Sequence, residues 1–431
     1  MAGRDVPGTD PDQTAAASAG VPTGSLFRDR DFATFLGGQS ISALGDSVSF
    51  TALPLFVLLL TGSGVAMGVV AILQTLPDLF FGLPAGALAD RWDRRRMMLF
   101  ADLGRAVLMA LIPLSVLLGW DTLTVILIVT APIHLLRVLF MAAFTAAVPA
   151  LAGRPRMAEA NGIIEAVYSL SFVVGPALAG VLVGLIGPAQ TLALDAVSFL
   201  LSAGALFLVR RPLQATSGRP RETHLVQEIR EGVGFIWRER TLRIVVAFWG
   251  AVSVVSAPIV ASVIFLLTVD RGQPGEIVGT ILSVFGGGYF VGAVVVAKLA
   301  PVRLGLAMLA GNFAMAASLV LFALADGVLL WFLAAALVGT ASSVALVSYV
   351  TLRAAIPPDE LLGRVGSTAR TISIGLAPLG LFAGGVLLDA IGGSATVLVI
   401  AGAVLAVTAL FVTSGTLRAA SARAAAAHPS A

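Results

Sequence analysis

GALADRWDRRR, Gly86–Arg96, carries charges at Asp90, Arg91, Asp93, Arg94, Arg95 and Arg96. It stands between two apolar runs in a chain of 431 residues that is 58% hydrophobic and only 12% charged. That charge density is about half the usual value for a soluble domain. With a mean hydropathy of +0.98, most of the chain must have lipid as its solvent. A dense charged cluster between apolar runs therefore reads as a loop in water between two membrane helices.

A helix crossing the hydrocarbon needs ~20 mostly apolar residues. Scanned outward from the loop, the sequence offers such runs near 34–60, 64–88, 97–119, 122–148, 160–187 and 190–209. A second set lies near 243–268, 276–299, 304–326, 328–352, 367–390 and 393–414. The runs are continuous rather than alternating, which excludes barrel strands. The expected fold is all-α: twelve transmembrane helices in two pseudo-symmetric six-helix bundles. The expected domains are a disordered tail over 1–31, bundles over 32–209 and 243–415, a linker over 210–242, and a second tail over 416–431. In the linker, Leu225, Ile229, Val233 and Ile236 recur at helical spacing, as in an amphipathic connector on the membrane surface. The bundles echo each other: GVLVGLIG at Gly180–Gly187 matches GVLLDAIG at Gly385–Gly392 in five of eight places.

Basic residues set the orientation. With a cytosolic N-terminus, the inner loops hold Arg91–Arg96, Arg154, Arg156, the stretch from Arg210 to Arg243, Lys298, Arg303, Arg353 and Arg364. The outer loops hold only Arg271 as a clear exception. Both termini are thus expected in the cytosol of a cell-membrane protein. The N-terminal stretch lacks the apolar core of a signal peptide. Cysteine is absent and the three histidines lie far apart, so no thiolate or histidine metal site is expected. A net charge of +3 does not point to nucleic acid.

Gly86-x-Leu88-x-Asp90-Arg91 followed by Arg94-Arg95-Arg96 resembles the signature loop between the second and third helices of the major facilitator superfamily. Asp93 stands where that pattern has its second glycine. The DRWDRRR form is similar to the branch of drug-efflux and enterobactin exporters, which includes macrolide and tetracycline pumps. ANGIIEAVYSLSFVVGPALAG, LDAVSFLLSAGAL, EGVGFIWRERTLR and PPDELLGRVGS extend the likeness from about residue 30 to 415. The resemblance implies alternating access with substrate between the bundles, and it implies that the loop latches the cytosolic side. Asp90 is expected to pair with an arginine or cap a helix. Asp102 and Arg105, in the third span, are expected to join that network with Gly86, Arg91, Arg94 and Arg95. Gly175, Pro176 and Gly180 resemble the antiporter motif of the fifth helix, although Ser171 and Ala179 depart from its glycine pattern.

Ionisable groups inside the membrane need a reason. Asp46 lies about fourteen residues into the first span, close to the midplane. Gln39, Ser42, Asp46 and Ser49 share one helical face, expected to line the cavity. There burial would raise the Asp46 carboxyl toward neutrality, as coupling to protons requires. Arg137 resembles a fourth-helix arginine of the superfamily, though Phe140 and Met141 replace a polar residue and a glycine. It reads either as part of proton transfer or as a partner of Asp46 or Glu165. Asp78, after Pro77, either lines the cavity or bonds backbone freed by the proline. Glu165 is a further candidate cavity carboxylate, and Asp195 reads as structural. His134 reads as simply hydrogen-bonded.

These features favour a proton-coupled exporter of hydrophobic or amphipathic small molecules, acting as a monomer with no cofactor. A siderophore or other metabolite exporter is the alternative. No G-x-x-x-x-G-K-[ST] run is present, so ATP is not the expected energy source. A membrane enzyme would need a nucleophile and base or metal ligands, and no such constellation is visible.

Overall fold

The computed structural model describes residues 26–214, 225–299, 303–358 and 361–420. Residues 1–25 and 421–431 of the expected tails, and 215–224 of the linker, lie outside these. Among the described residues the structure is helical throughout and contains no strand.

The first bundle consists of α1 (Arg30–Thr61), α2 (Gly64–Arg91), α3 (Arg94–Leu117), α4 (Thr122–Ala152), α5 (Met157–Ile186) and α6 (Pro188–Leu208). Polar residues set the helix starts by accepting the free amides of the first turn. Asp29 caps α1, Ser63 caps α2, Asp93 caps α3 and Asp121 caps α4. Gly62 ends α1 at φ 64°, so two residues suffice to reverse the chain into α2.

The linker helix α7 (Leu225–Arg238) leads into α8 (Arg240–Ser256) and α9 (Ile259–Phe265), which ends in a π-turn over Leu266–Asp270. Together α8, α9 and the turn make one span. Then follow α10 (Gly275–Leu299), α11 (Leu304–Leu324), α12 (Val328–Ala355), α13 (Leu362–Gly375), α14 (Ala377–Val412) and the short α15 (Gly415–Ala419). At ~1.5 Å per residue, the 36 residues of α14 would reach well beyond a ~30 Å hydrocarbon layer. The helix is broken at Gly392, whose φ of 77° and ψ of 175° turn the chain back. Residues of α13 and α14 before that point form the eleventh span, and those after it the twelfth.

Gly187, between α5 and α6, has φ 89° and ψ 160°. Gly187 and Gly392 are the last residues of the two echoing octapeptides, and both occupy a backbone region that essentially only glycine enters. The echo therefore marks the same reversal in each bundle.

The two ends of the described residues, Leu26 and Ala420, lie on one face, here termed the terminal face. There the Leu26 amide meets Glu159 at 3.4 Å, and the Gly305 amide donates to the Ala420 carbonyl at 3.1 Å. On this face α7 packs against α13: Gly232 lies against Thr368 and the Arg364 carbonyl, and Arg364 pairs with Glu231. Val233 is exposed while Ile236 is buried, so α7 is bound to the second bundle along one side. At helix ends away from the terminal face, Leu117, Leu185 and Leu329 are 79%, 72% and 81% exposed, an apolar surface suited to lipid.

On the opposite, distal face the bundles meet. Along α5 and α10, Gly180 approaches Gly279, where a β-carbon on Gly180 would fall 2.8 Å from the Gly279 Cα. The Ala177 amide donates to Ser283 Oγ at 2.6 Å, and the rings of Phe172 and Tyr289 meet at 6.0 Å. Along α2 and α14, Asp389 grips the start of α2. It accepts from Ser63 Oγ at 2.7 Å, from the Val65 amide at 3.1 Å and from the Gly64 amide. These hydrogen bonds between bundles lie toward the distal ends of their helices.

Candidate functional site

Within the first bundle a cavity of about 670 Å³ is lined by residues of α1 to α6. Its wall includes the acidic side chains of Asp46, Asp78, Glu165 and Asp195, together with Arg137 and His134. Among the described residues, those that line it all belong to the first bundle.

Behind the cavity, Arg105 on α3 is only 1% exposed. A buried guanidinium requires compensation on several sides, and side chains from four helices supply it. Asp102, one turn earlier, pairs with Arg105 Nη2. Asp46 on α1 approaches Nη1 at 3.2 Å. The rings of Phe199 and Phe140 sit 4.1 and 4.9 Å from the guanidinium carbon, where their faces attract the cation. Asp102 is held in turn by Ser202 Oγ at 2.6 Å, and Ser202 by Gln39 Nε2 at 2.9 Å. Asp46 is the wet end of this network: its side chain is 35% exposed toward the cavity, against 0% for Asp102.

Several expectations are revised by this geometry. Asp102 and Arg105 do not join the charged loop; they lie deep in the bundle, with Asp46 as their partner. Gln39 and Ser42 are buried at 4% and 2% and turn away from the cavity, leaving Asp46 and Ser49 of that set on its wall. Arg137 pairs with Asp78 at 2.5 Å, rather than with Asp46 or Glu165. Asp78 lines the cavity as this ion pair, which spans from α2 to α4. Glu165 is exposed on the wall and makes no ion pair among the described residues. His134 lines the cavity with its buried Nδ1 lacking a protein partner.

Asp195, read from sequence as structural, also reaches the wall although it is 1% exposed. It is brought there by Gly45. A β-carbon on Gly45 would lie 2.9 Å from Ser198 Cβ and closer still to the Asp195 carboxylate. Gly175 plays the same part between α5 and α1, since its β-carbon would fall 2.5 Å from Ser47 Cβ. Pro176 and Gly180 belong to the seam with α10, where Gly279 approaches the Pro176 carbonyl.

In the loop, Asp93 rather than Asp90 caps a helix, accepting from the Arg96 amide at 2.8 Å. Asp90 and Arg91 are exposed and make no ion pair among the described residues. Gly86 has open space where a β-carbon would sit. Arg94 and Arg95 instead bind backbone carbonyls, Arg94 at Ala146 (2.8 Å) and Leu213 (3.3 Å), and Arg95 at Arg211 (2.9 Å). Cations at carbonyl-rich helix ends are favoured by the helix dipole.

The sequence matches the transmembrane secretion effector family over residues 23–430, nearly the whole chain. The chain belongs to the major facilitator superfamily. The resemblance read from the loop is thereby borne out, and the protein is a multi-pass membrane transporter, not an enzyme. It is 30% identical over 374 residues to the multidrug efflux pump Tap of Mycobacterium tuberculosis, covering 84% of this chain and 88% of Tap. To macrolide efflux protein A of Streptococcus pyogenes it is 24% identical over 369 residues, covering 84% and 90%. Its fold is similar to that of a variant of the nucleoside transporter NupG, with a TM-score of 0.75 at 13% identity, covering 90% and 99%. A bacterial homologue of the human lysosomal transporter Spinster, in an inward-facing conformation, gives 0.72 at 14% identity, covering 94% and 100%. These structural likenesses concern the all-α twelve-helix facilitator fold.

Two features of this facilitator escaped sequence reasoning. One is the Arg105–Asp46 pair: the signal was Asp102 and Arg105 at i,i+3 inside a span, a combination that calls for a third charge. The other is Asp195 on the wall, foreshadowed only by the small residue at Gly45.

Proposed function

We infer that this transporter is a proton-driven exporter of hydrophobic or amphipathic small molecules, working as an antiporter in the cell membrane. The observation that carries the reading is the cavity itself. It is large enough for a drug-sized molecule, walled by Phe50, Leu53, Met109, Ile133, Phe144 and Phe172, and the carboxylates of Asp46, Asp78, Glu165 and Asp195 line it. The relatives named as multidrug and macrolide efflux pumps agree with export. The terminal face is the cytosolic one, because the positive loops gather there. On the distal face Arg271 is tied down by Asp326 and by the carbonyls of Ala323 and Ala325 at the end of α11. With the distal seam shut, the structure corresponds to a state that receives substrate from the cytosol. The two bundles act as the moving halves, joined by the linker around α7. The site is complete within one chain, which suits a monomer.

In this reading, Asp46 releases Arg105 when it takes up a proton from outside, and substrate entry from the cytosol favours the return. Expression in a host lacking its own efflux pumps tests the proposal. Resistance to a panel of amphipathic antibiotics and dyes should rise, and everted vesicles should take up the same compounds when acidified inside. Unchanged susceptibility across the panel, with the protein present in the membrane, would sink it.

A further inference from the structure

Behind the cavity wall, Asp46, Asp102 and Asp195 crowd around a single guanidinium, that of Arg105. Their hydrogen bonds are unequal. Asp102 receives both Arg105 and Ser202, and Asp46 receives two contacts from Arg105 at 3.2 and 3.4 Å. Asp195 receives the Ser198 hydroxyl on Oδ1 at 2.8 Å, and that hydroxyl is shared with the Asp195 carbonyl. Its Oδ2 is fully buried and meets no donor. Ser49, one turn beyond Asp46 on α1 and 5% exposed, has a buried hydroxyl beside the Asp195 carboxyl that closes no hydrogen bond of good geometry. Both residues line the cavity.

A buried carboxylate oxygen without a donor is costly, and like charges sharing a site cannot all remain ionised. Three carboxylates against one guanidinium leave an excess of negative charge in a buried place. We propose that Asp195 is the seat of a bound proton, carried on Oδ2, and that this proton is the one exchanged during transport. The surroundings favour this placement over the other two carboxyls. Asp102 and Asp46 face the guanidinium directly, whereas the groups nearest Asp195 are hydroxyls and the Asp46 carboxylate. The remaining charged and titratable groups come from every packed element: Asp78 on α2, His134 and Arg137 on α4, and Glu165 and Tyr168 on α5. Arg137 is engaged by Asp78, and Glu165 adds to the negative charge. As a neutral acid, Asp195 can donate to Ser49 or to the ionised Asp46. When Arg105 is drawn away in the other conformation, the proton passes between the two carboxyls, from Asp195 Oδ2 to Asp46 and then to water in the cavity.

The location of this proton does not depend on the export reading; only its use does. Infrared difference spectroscopy on the purified full-length transporter in lipid discs, titrated with pH and without substrate, reads the location. Wild type should show the stretching band of a buried protonated carboxyl. Asp195→Asn should lose it and Asp46→Asn should keep it. Persistence of the band in Asp195→Asn, or its absence from wild type, overturns the proposal. Should Asp195→Asn fail to fold, Ser198→Ala serves instead. Removing the hydroxyl on Oδ1 should raise the band's frequency, and an unmoved band overturns the assignment. In proteoliposomes, Asp195→Asn should lose accumulation driven by a pH gradient. A wild type that shows the band but no response to a pH gradient sinks the coupling reading alone.

Discussion

Arg105 Nη1 lies 3.2 Å from Asp46 Oδ2, so the carboxylate on the cavity wall is bound to a guanidinium that never reaches the cavity itself. Any change in the charge of Asp46 is felt at once by Asp102, Ser202 and Gln39, which share the same network. Removing Arg105 should therefore do more than break one pair. Arg105→Ala leaves the fully buried Asp102 uncompensated, a loss of ~3–5 kcal/mol for a buried ion pair. A fall in thermal stability well beyond that of a surface arginine variant is expected in detergent. Arg105→Lys should recover only part, because a point charge cannot reach both carboxylates while lying against two aromatic faces.

Asp46→Asn keeps the shape of the side chain and mimics the protonated acid. Uphill export powered by a pH gradient should be lost while downhill exchange of substrate survives. Concentrative transport by this variant would take Asp46 out of the proton's path and leave Asp195, Glu165 or Asp78 to release it directly to the cavity.

Closure of the distal face can be captured chemically. The chain has no native cysteine, so an introduced pair has no background. Ala177→Cys with Ser283→Cys joins positions whose amide and hydroxyl stand 2.6 Å apart. Oxidation should form a disulfide and arrest transport, and a reductant should restore it. Undiminished transport in the oxidised protein would show that the seam need not part.

Topology is open to a direct check. Reporters inserted at Gly153 should signal the cytosol, and reporters at Gly62 or Gly187 the outside. The reverse pattern would invert the assignment of faces and turn the proposed exporter around.

Asp29 gives a pH dependence outside the membrane. Partial burial lifts its carboxyl, but the Phe32 amide, Arg211 and the Asp31 amide outweigh this and hold it below the ordinary carboxylate range. A lowered group stabilises the fold above its unfolded value, near 3.9. That contribution fades as pH falls through the folded value. Asp29→Ala should cost about 0.5–1 kcal/mol at neutral pH, discounted for exposure, with the difference from wild type closing under acid. An equal difference at both pH values would count against it.

The fold was legible because the solvent of each segment is written in its composition. Runs such as Leu304–Leu324 admit no reading but a span, and the octapeptides ending in Gly187 and Gly392 announced the repeat of one bundle in the other, though not the reversal they share. The site was legible one residue at a time. Asp46, Asp78, Glu165 and Arg137 were all suspected, because ionised groups in lipid stand out. Their partners were not, because pairing depends on helix rotation and close approach. Whether Gln39 faces water or Ser202 is decided by a few tens of degrees about α1. Whether Asp195 reaches the wall is decided by the missing side chain of Gly45.

The seam between α5 and α10 carries one more consequence. Gly180 and Gly279 meet backbone to backbone, so the surfaces that must part hold few interlocking knobs. Dispersion scales with the atoms in contact, and a smooth joint has little to climb over. The toll for opening then falls on a few polar clasps: Ser283 on Ala177, and Asp389 on Ser63, Gly64 and Val65. A hydrogen bond to a charged group is worth ~1.5–3 kcal/mol, and one elementary charge crossing 100 mV yields ~2.3 kcal/mol. Each single clasp of the distal gate is thus of the order of the work that one ion can deliver, and the whole set asks for more than one such step.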